Sequence, residues 1–350
     1  MADSTCELPP PPPPEISKQL SIVLRAVELY EYSELEVIPV TWSDTAEDTL
    51  DCEMKEDILV IQGSQLLVVY VEALQLFNRF CQHLKRGSLS EHWRLWDCLS
   101  RFLLFVQPDQ STIWNFRKFL LLQNLVSYDL ELQVNRIALK RNAKTSEVWQ
   151  HRKWILAQAA HIVIHSDFIE RELELCSFLV NRFEKPYHVW YYRWWLVHSY
   201  IGVLSKDFVM QEYHTIKLSI QQHVSDHGAY FYRQKLLLYL LNNQNTPDDC
   251  FVLLNSEWNW THSIIKMLDR SFVSPFSYTQ FIYSCCYCWL DNGNSQQRYL
   301  MDTIYKILKY YTIGNQQDDK ILSTMLSKMS QQLCQNGKKI FHKDERATTK

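Results

Sequence analysis

Four aromatic-x-x-Arg units recur through the middle of the chain at nearly constant spacing, and a period of that kind restricts the fold to a repeat architecture. The units are Trp114-Asn-Phe-Arg117, Trp149-Gln-His151-Arg152, Trp190-Tyr-Tyr-Arg193 and Tyr230-Phe-Tyr-Arg233, with successive aromatics 35, 41 and 40 residues apart. A leucine-rich helix follows each unit, and amphipathic stretches such as Asp129–Lys140 and Asp167–Arg182 lie between them. Two helices per period predict an all-α fold, a solenoid of helical hairpins. An aromatic at i and Arg at i+3 share one helix face. Trp114, Trp149, Trp190 and Tyr230 are therefore expected in the grooves between helix pairs. Arg117, Arg152, Arg193 and Arg233, with His151 beside them, should reach carbonyls or carboxylates of the adjacent unit.

Composition removes several function classes. Only seven of 350 residues are glycine, no two closer than 21 positions, so phosphate loops of the G-x-G-x-x-G and Walker type and a G-x-S-x-G elbow are all impossible. The net charge of −3 gives no overall pull toward nucleic acid or an anionic membrane. The ten cysteines follow a polar, proline-rich start without an apolar signal region, which predicts a cytoplasmic protein with buried thiols. Cys285, Cys286 and Cys288 cluster but lack a second ligand group, so no metal is expected on this chain. His161 and His165 share a helical face without the Glu of a metalloprotease motif, and His223 and His227 read as polar contacts between hairpins. The charge-free stretch Ser271–Leu290 carries Pro275, Thr279 and Gln280, which favours a buried helix over a membrane span.

Along the chain, residues 1–15 with six consecutive prolines read as a disordered lead, 16–335 as the helical-repeat domain, best defined over 108–240, and 336–350 as a basic tail. A first helix is expected over Ile16–Tyr32, a surface loop over the acidic Glu36–Glu56, and a helix from Gln65. Another should start at Ser90 as its cap, with Trp93, Trp96, Leu99, Leu103 and Leu104 on its apolar stripe.

The Trp-x-x-Arg units, above all Asn142-Ala-Lys144-Thr-Ser-Glu-Val-Trp149-Gln-His151-Arg152, resemble the repeats of protein prenyltransferase α subunits, and His223-Val-Ser-Asp226-His227-Gly228 through Arg233 points to one branch of that family. The resemblance implies an α subunit whose hairpins form a right-handed superhelical, crescent-shaped solenoid that wraps a separate β subunit. That β subunit would hold zinc, activate the target cysteine and bind the isoprenoid. The branch implies the β subunit of Rab geranylgeranyltransferase as partner and a type III-like geranylgeranyltransferase. Its co-substrate would be geranylgeranyl diphosphate and its protein substrates would carry cysteines near the carboxyl terminus. Within it, Lys144 matches a family lysine that reaches the isoprenoid diphosphate and Tyr187 a tyrosine near the same phosphates; both are auxiliary catalytic candidates. Arg136, Lys140, Arg141, Arg152 and Lys153 are the basic residues around Lys144. Thr145-Ser146 departs from the usual Asn-Tyr beside that lysine, Tyr192 and Tyr230 depart in the third and fourth units, and a fifth unit near Tyr278 lacks its Arg. Two alternatives stay open: an α subunit of a farnesyl, type I or Rab enzyme, and a helical scaffold that binds proteins without catalysis.

Overall fold

The computed structural model describes residues 15–29, 34–38, 50–55, 58–63, 65–84, 92–158, 166–202, 204–243, 247–267 and 273–289. The elements run α1 (Lys18–Leu29), β1 (Glu34–Ile38), β2 (Leu50–Lys55), β3 (Ile58–Gly63), α2 (Leu66–Leu84), α3 (Trp93–Val106), α4 (Ser111–Leu122) and α5 (Tyr128–Arg141). They continue with α6 (Ser146–Gln158), α7 (Ser166–Arg182), α8 (Tyr187–Ser199), α9 (Lys206–Gln222), α10 (His227–Asn242), α11 (Pro247–Met267) and α12 (Val273–Trp289). The chain divides into two compact units, Met1–Val189 and Trp190–Lys350.

The helical-repeat class stands, since every aromatic-x-x-Arg unit lies on a helix of its own: α4, α6, α8 and α10. Each of these helices carries the leucines or tryptophans that bury against its neighbours, and an amphipathic helix precedes it. Ser127 and Ser205 start α5 and α9 by accepting hydrogen bonds from Leu130 N and Phe208 N. In α12, Ser274, Pro275, Tyr278, Thr279, Ile282 and Cys285 are buried, a three-to-four spacing that fits a helix packed on a core. Among the described residues no helix is long and apolar enough to cross a membrane.

Two local expectations need correction. The segment Glu36–Glu56, read as a loop from its acidity, contributes to a three-stranded sheet of order β1-β3-β2. β3 pairs parallel with β1 (Val37 opposite Ile61) and antiparallel with β2 (Cys52 opposite Ile61). The acids of Glu34-Leu-Glu36 and Asp51-Cys-Glu53 alternate with apolar residues, and that period of two is a strand signal that outweighs net charge. The central strand buries Val60 and Ile61. The second correction is the start of α3: it opens at Trp93 with His92 at the N-cap and no side-chain cap bond, and Ser90 lies outside the described residues. Packing holds it instead, with Trp96 stacked on Phe80 of α2 at 4.0 Å between ring centroids. The proline lead, the basic tail, His161 and His165 also lie outside the described residues.

Candidate functional site

The repeat arginines are fully or nearly fully buried, and each clamps a carboxylate on the helix that follows its own. From α4, Arg117 donates Nε and Nη2 to Glu131 of α5, the shorter bond 2.6 Å, and Nη1 to Asp97 of α3 at 2.8 Å. From α6, Arg152 forks onto Glu172 of α7, with Nε to Oε2 at 2.7 Å, and its Nη1 reaches Asn135 Oδ1 of α5 at 3.1 Å. Arg193 binds Glu212 of α9 at 2.6 Å, and Arg233 binds Glu257 of α11 at 2.5 and 2.6 Å. A planar fork facing a planar carboxylate satisfies two buried charges at once, which is why Arg and not Lys holds the position.

Glu131, Glu212 and Glu257 also take a donor from the residue before the next repeat Arg, or from its equivalent. His151 Nε2 lies 2.7 Å from Glu131, Tyr232 Oη donates to Glu212 at 2.8 Å, and Tyr278 Oη donates to Glu257 at 2.7 Å. Glu257 additionally accepts from Tyr213 Oη. In α12 Thr279 stands where the Arg would be and donates back to Pro275 O, so Tyr278 keeps the accessory contact without a forward clamp. Burial alone would raise these carboxyls. Arg117 and His151 instead hold Glu131 down at about 2, and Glu212 and Glu257 are lowered by Arg193 and Arg233 with their tyrosines. Tyr213, Tyr232 and Tyr278 are pushed up by burial first and by the carboxylate second.

The aromatic anchors are buried too, but they are fixed in three different ways. The indoles of Trp114 and Trp149 each donate to the carbonyl six residues back, Pro108 and Ala143, both at 2.8 Å. Trp190 instead donates forward to Asp226 Oδ2 at 2.7 Å, while Asp226 Oδ1 accepts from Gly228 N at 2.9 Å. A Cβ on Gly228 would lie 2.3 Å from Trp190 Cδ1, so glycine is required where the ring and the first turn of α10 meet. The hydroxyl of Tyr230 is buried without a hydrogen-bond partner among the described residues. His227 Nδ1 and Ser274 Oγ of α12 are 3.1 Å apart, an inter-hairpin polar contact.

The sequence pointed to the arginines but not to their acids. A signal was present: Glu131, Glu172 and Glu212 each lie 18 residues before the next repeat aromatic, Trp149, Trp190 and Tyr230. That interval is constant because it spans one hairpin, whereas the loop between an Arg and the next hairpin varies in length.

The two auxiliary candidates stand apart from this buried ladder. Lys144 is exposed in the turn between α5 and α6, where its N–H donates to Asn142 Oδ1 at 3.1 Å. Tyr187 is 61% exposed at the first position of α8, its ring 4.1 Å from that of His188. His188 is lowered by burial first, with Glu147 and Lys153 of α6 acting on it in opposite senses, so the start of α8 faces α6. Lys153 is itself lowered by burial. The basic surroundings expected for Lys144 lose one member: Arg152 is fully buried and committed to Glu172 and Asn135. Thr145 is buried and Ser146 Oγ donates to Glu147 at 2.9 Å, so the pair that replaces the usual Asn-Tyr anchors the turn inward. Among the described residues no group of three or more His, Cys, Asp or Glu could hold a metal.

Comparison with known proteins agrees with this architecture. The profile of the protein prenyltransferase alpha subunit repeat matches residues 128–159 and 169–200. The chain is 31% identical over 157 residues to Protein prenyltransferase alpha subunit repeat-containing protein 1-A of Xenopus laevis, across 40% of this chain and 36% of that protein. It is 25% identical over 141 residues to the geranylgeranyl transferase type-2 subunit alpha of Saccharomyces cerevisiae, across 39% of this chain and 42% of that subunit. The match thus spans well under half the length of these curated relatives. The solved structure of Candida albicans protein geranylgeranyltransferase-I complexed with GGPP aligns with a TM-score of 0.46 at 15% identity, over 77% of this chain and 89% of that one. The hairpins α5–α6 and α7–α8 are therefore prenyltransferase alpha subunit repeats, and the chain resembles the protein prenyltransferase alpha subunit family.

Proposed function

We propose that this chain is the α subunit of a heterodimeric, type III-like protein geranylgeranyltransferase. It would complete a site on a β subunit that transfers a geranylgeranyl group from its diphosphate to cysteines near the carboxyl terminus of target proteins. The observation that carries the reading is the exposure of Lys144 and Tyr187 at the leading ends of α6 and α8, within the two matched repeats, while the repeat pairs Trp149–Arg152 and Trp190–Arg193 are locked in the core. An exposed ammonium on a turn fixed by the Trp149–Ala143 bond is a preorganised cation, and it can stabilise the negative charge that builds on a departing diphosphate. Zinc and the isoprenoid funnel belong to the β subunit in this reading, with that of Rab geranylgeranyltransferase as the partner and the cytoplasm as the setting.

The test is coexpression with the Rab geranylgeranyltransferase β subunit, recovery of a stoichiometric complex, and transfer of labelled geranylgeranyl to a cysteine-terminated acceptor. Lys144→Ala is expected to assemble normally and to slow transfer by roughly 100-fold, the lower end of the loss on removing one preorganised electrostatic donor. Tyr187→Phe should slow it less. An unchanged rate in Lys144→Ala rejects the role of the lysine. Failure to bind this β subunit while binding that of the farnesyl or type I enzyme moves the chain to that enzyme, and failure to bind either leaves a protein-binding scaffold.

A further inference from the structure

The accessory slot of the ladder is filled by a phenol in the second unit, Tyr232 on Glu212 and Tyr278 on Glu257, but by an imidazole, His151 on Glu131, in the first. A phenol needs one acceptor; an imidazole has a second nitrogen to satisfy. His151 is buried, and its Nδ1 has no hydrogen-bond partner among the described residues. The Glu131 carboxylate only accepts, so Nε2 carries the hydrogen and Nδ1 is a bare lone pair. The ring lies 4.5 Å from Trp114 of α4 and 5.8 Å from Trp154 of α6, centroid to centroid. The charged groups that face it are Glu131 from α5 and the cations Arg117 and Lys118 from α4. Its neighbour on α6, Arg152, is turned away to Glu172.

His151 is one of several ties across the α5–α6 hairpin. Others are Arg152 Nη1 to Asn135 Oδ1 at 3.1 Å and to Leu132 O at 3.3 Å, and Asn135 Nδ2 to Val148 O at 2.8 Å. We propose that His151 is an acid-sensitive latch on this hairpin: a proton taken up at Nδ1 leaves a buried N–H with no acceptor in the slot, so the charged ring is accommodated by swinging out of the slot and giving up its Glu131 tie, and the turn that carries Lys144 gains mobility. The tyrosines of the second unit leave the ladder there indifferent to the same change in acidity. The latch does not depend on the function proposed above.

The sign follows from the environment. Burial holds the imidazole below its ordinary value, opposed by the bond to Glu131 and reinforced by Arg117 and Lys118. The neutral form is favoured in the folded chain, so the stability this confers is present above the unfolded-state value of about 6.5 and is lost as pH falls below it. Loss of the Glu131 carboxylate itself belongs to a separate and lower window, between about 4.3 and its depressed folded value.

The experiment compares urea unfolding of the full chain at about pH 7.5 and about pH 5 in wild type and His151→Tyr. The variant should lose less than half of the midpoint shift that the wild type loses, because the phenol does not titrate in this range. Equal losses overturn the latch. If His151→Tyr does not fold, His151→Gln, whose amide can donate to Glu131, goes through the same comparison with the same criterion. Hydrogen exchange supplies a readout that general acid sensitivity would not move: the protection of amides over 145–149, taken relative to their intrinsic exchange rate at each pH, should fall on acidification in wild type and not in the variant. An NMR titration that places the His151 ring at or above about 6.5 overturns the proposal as well.

Discussion

The two units share one ladder of buried Arg–carboxylate pairs but fix their aromatic anchors differently. In the first, Trp114 and Trp149 are pinned within their own hairpins, each to the carbonyl six residues back. In the second, Trp190 is pinned 36 residues ahead by Asp226, pressed into a notch that Gly228 leaves open, and the Tyr230 hydroxyl has no hydrogen-bond partner among the described residues. The ladder is the invariant layer, and it can be, because its partners are the same two charges at every step. The aromatic layer is where the repeats differ, since an indole needs only some acceptor within reach and takes whichever the local loop offers.

The sharpest way to break this comparison is to strike the shared layer in both units. Arg152→Ala and Arg233→Ala should each lower unfolding stability by about 3–5 kcal/mol, because each strands a buried carboxylate. Urea denaturation that finds one of them near neutral would mean the ladder is not common to the two. A smaller effect tests the notch. Gly228→Ala should cost about 1–3 kcal/mol by overpacking against Trp190. That penalty should shrink by at least about 0.5 kcal/mol when Trp190→Leu clears the space, a coupling read from a double-mutant cycle. The smallest change has the opposite sign. Tyr230→Phe removes a buried hydroxyl with no partner among the described residues and should be neutral or stabilising by up to about 1 kcal/mol in the same assay. A clear loss would reveal an acceptor for that hydroxyl.

Much of this was legible in the sequence because it rests on period and face. The spacing of Trp114, Trp149, Trp190 and Tyr230 announced the hairpins, and the i, i+3 relation placed each Arg beside its aromatic. What was not legible depends on partners brought together by folding. Nothing local to Trp190 says that its indole bonds Asp226 instead of a nearby carbonyl. Glu131, Glu172 and Glu212 sit in stretches with many other acids, and only their common distance to the next aromatic sets them apart. The sheet was hidden for another reason: acids every second residue look like a solvated loop when counted and like a strand when phased. Lys144 and Tyr187 are different again, since an exposed side chain with few fixed contacts leaves little physical trace, and only the resemblance singled them out.

Repeat proteins are often treated as bricks that can be copied or reordered, because each unit touches only its neighbours. The keying of Trp190 into Gly228 restricts that freedom. A duplicate of the hairpin that follows Trp190, placed anywhere else, would bring an empty notch. A new hairpin inserted ahead of it would leave the indole with neither room nor acceptor. Lengthening of this chain by duplication is open at the self-contained joints of Trp114 and Trp149 and closed at this one, so a change in either of these two segments calls for a matching change in the other.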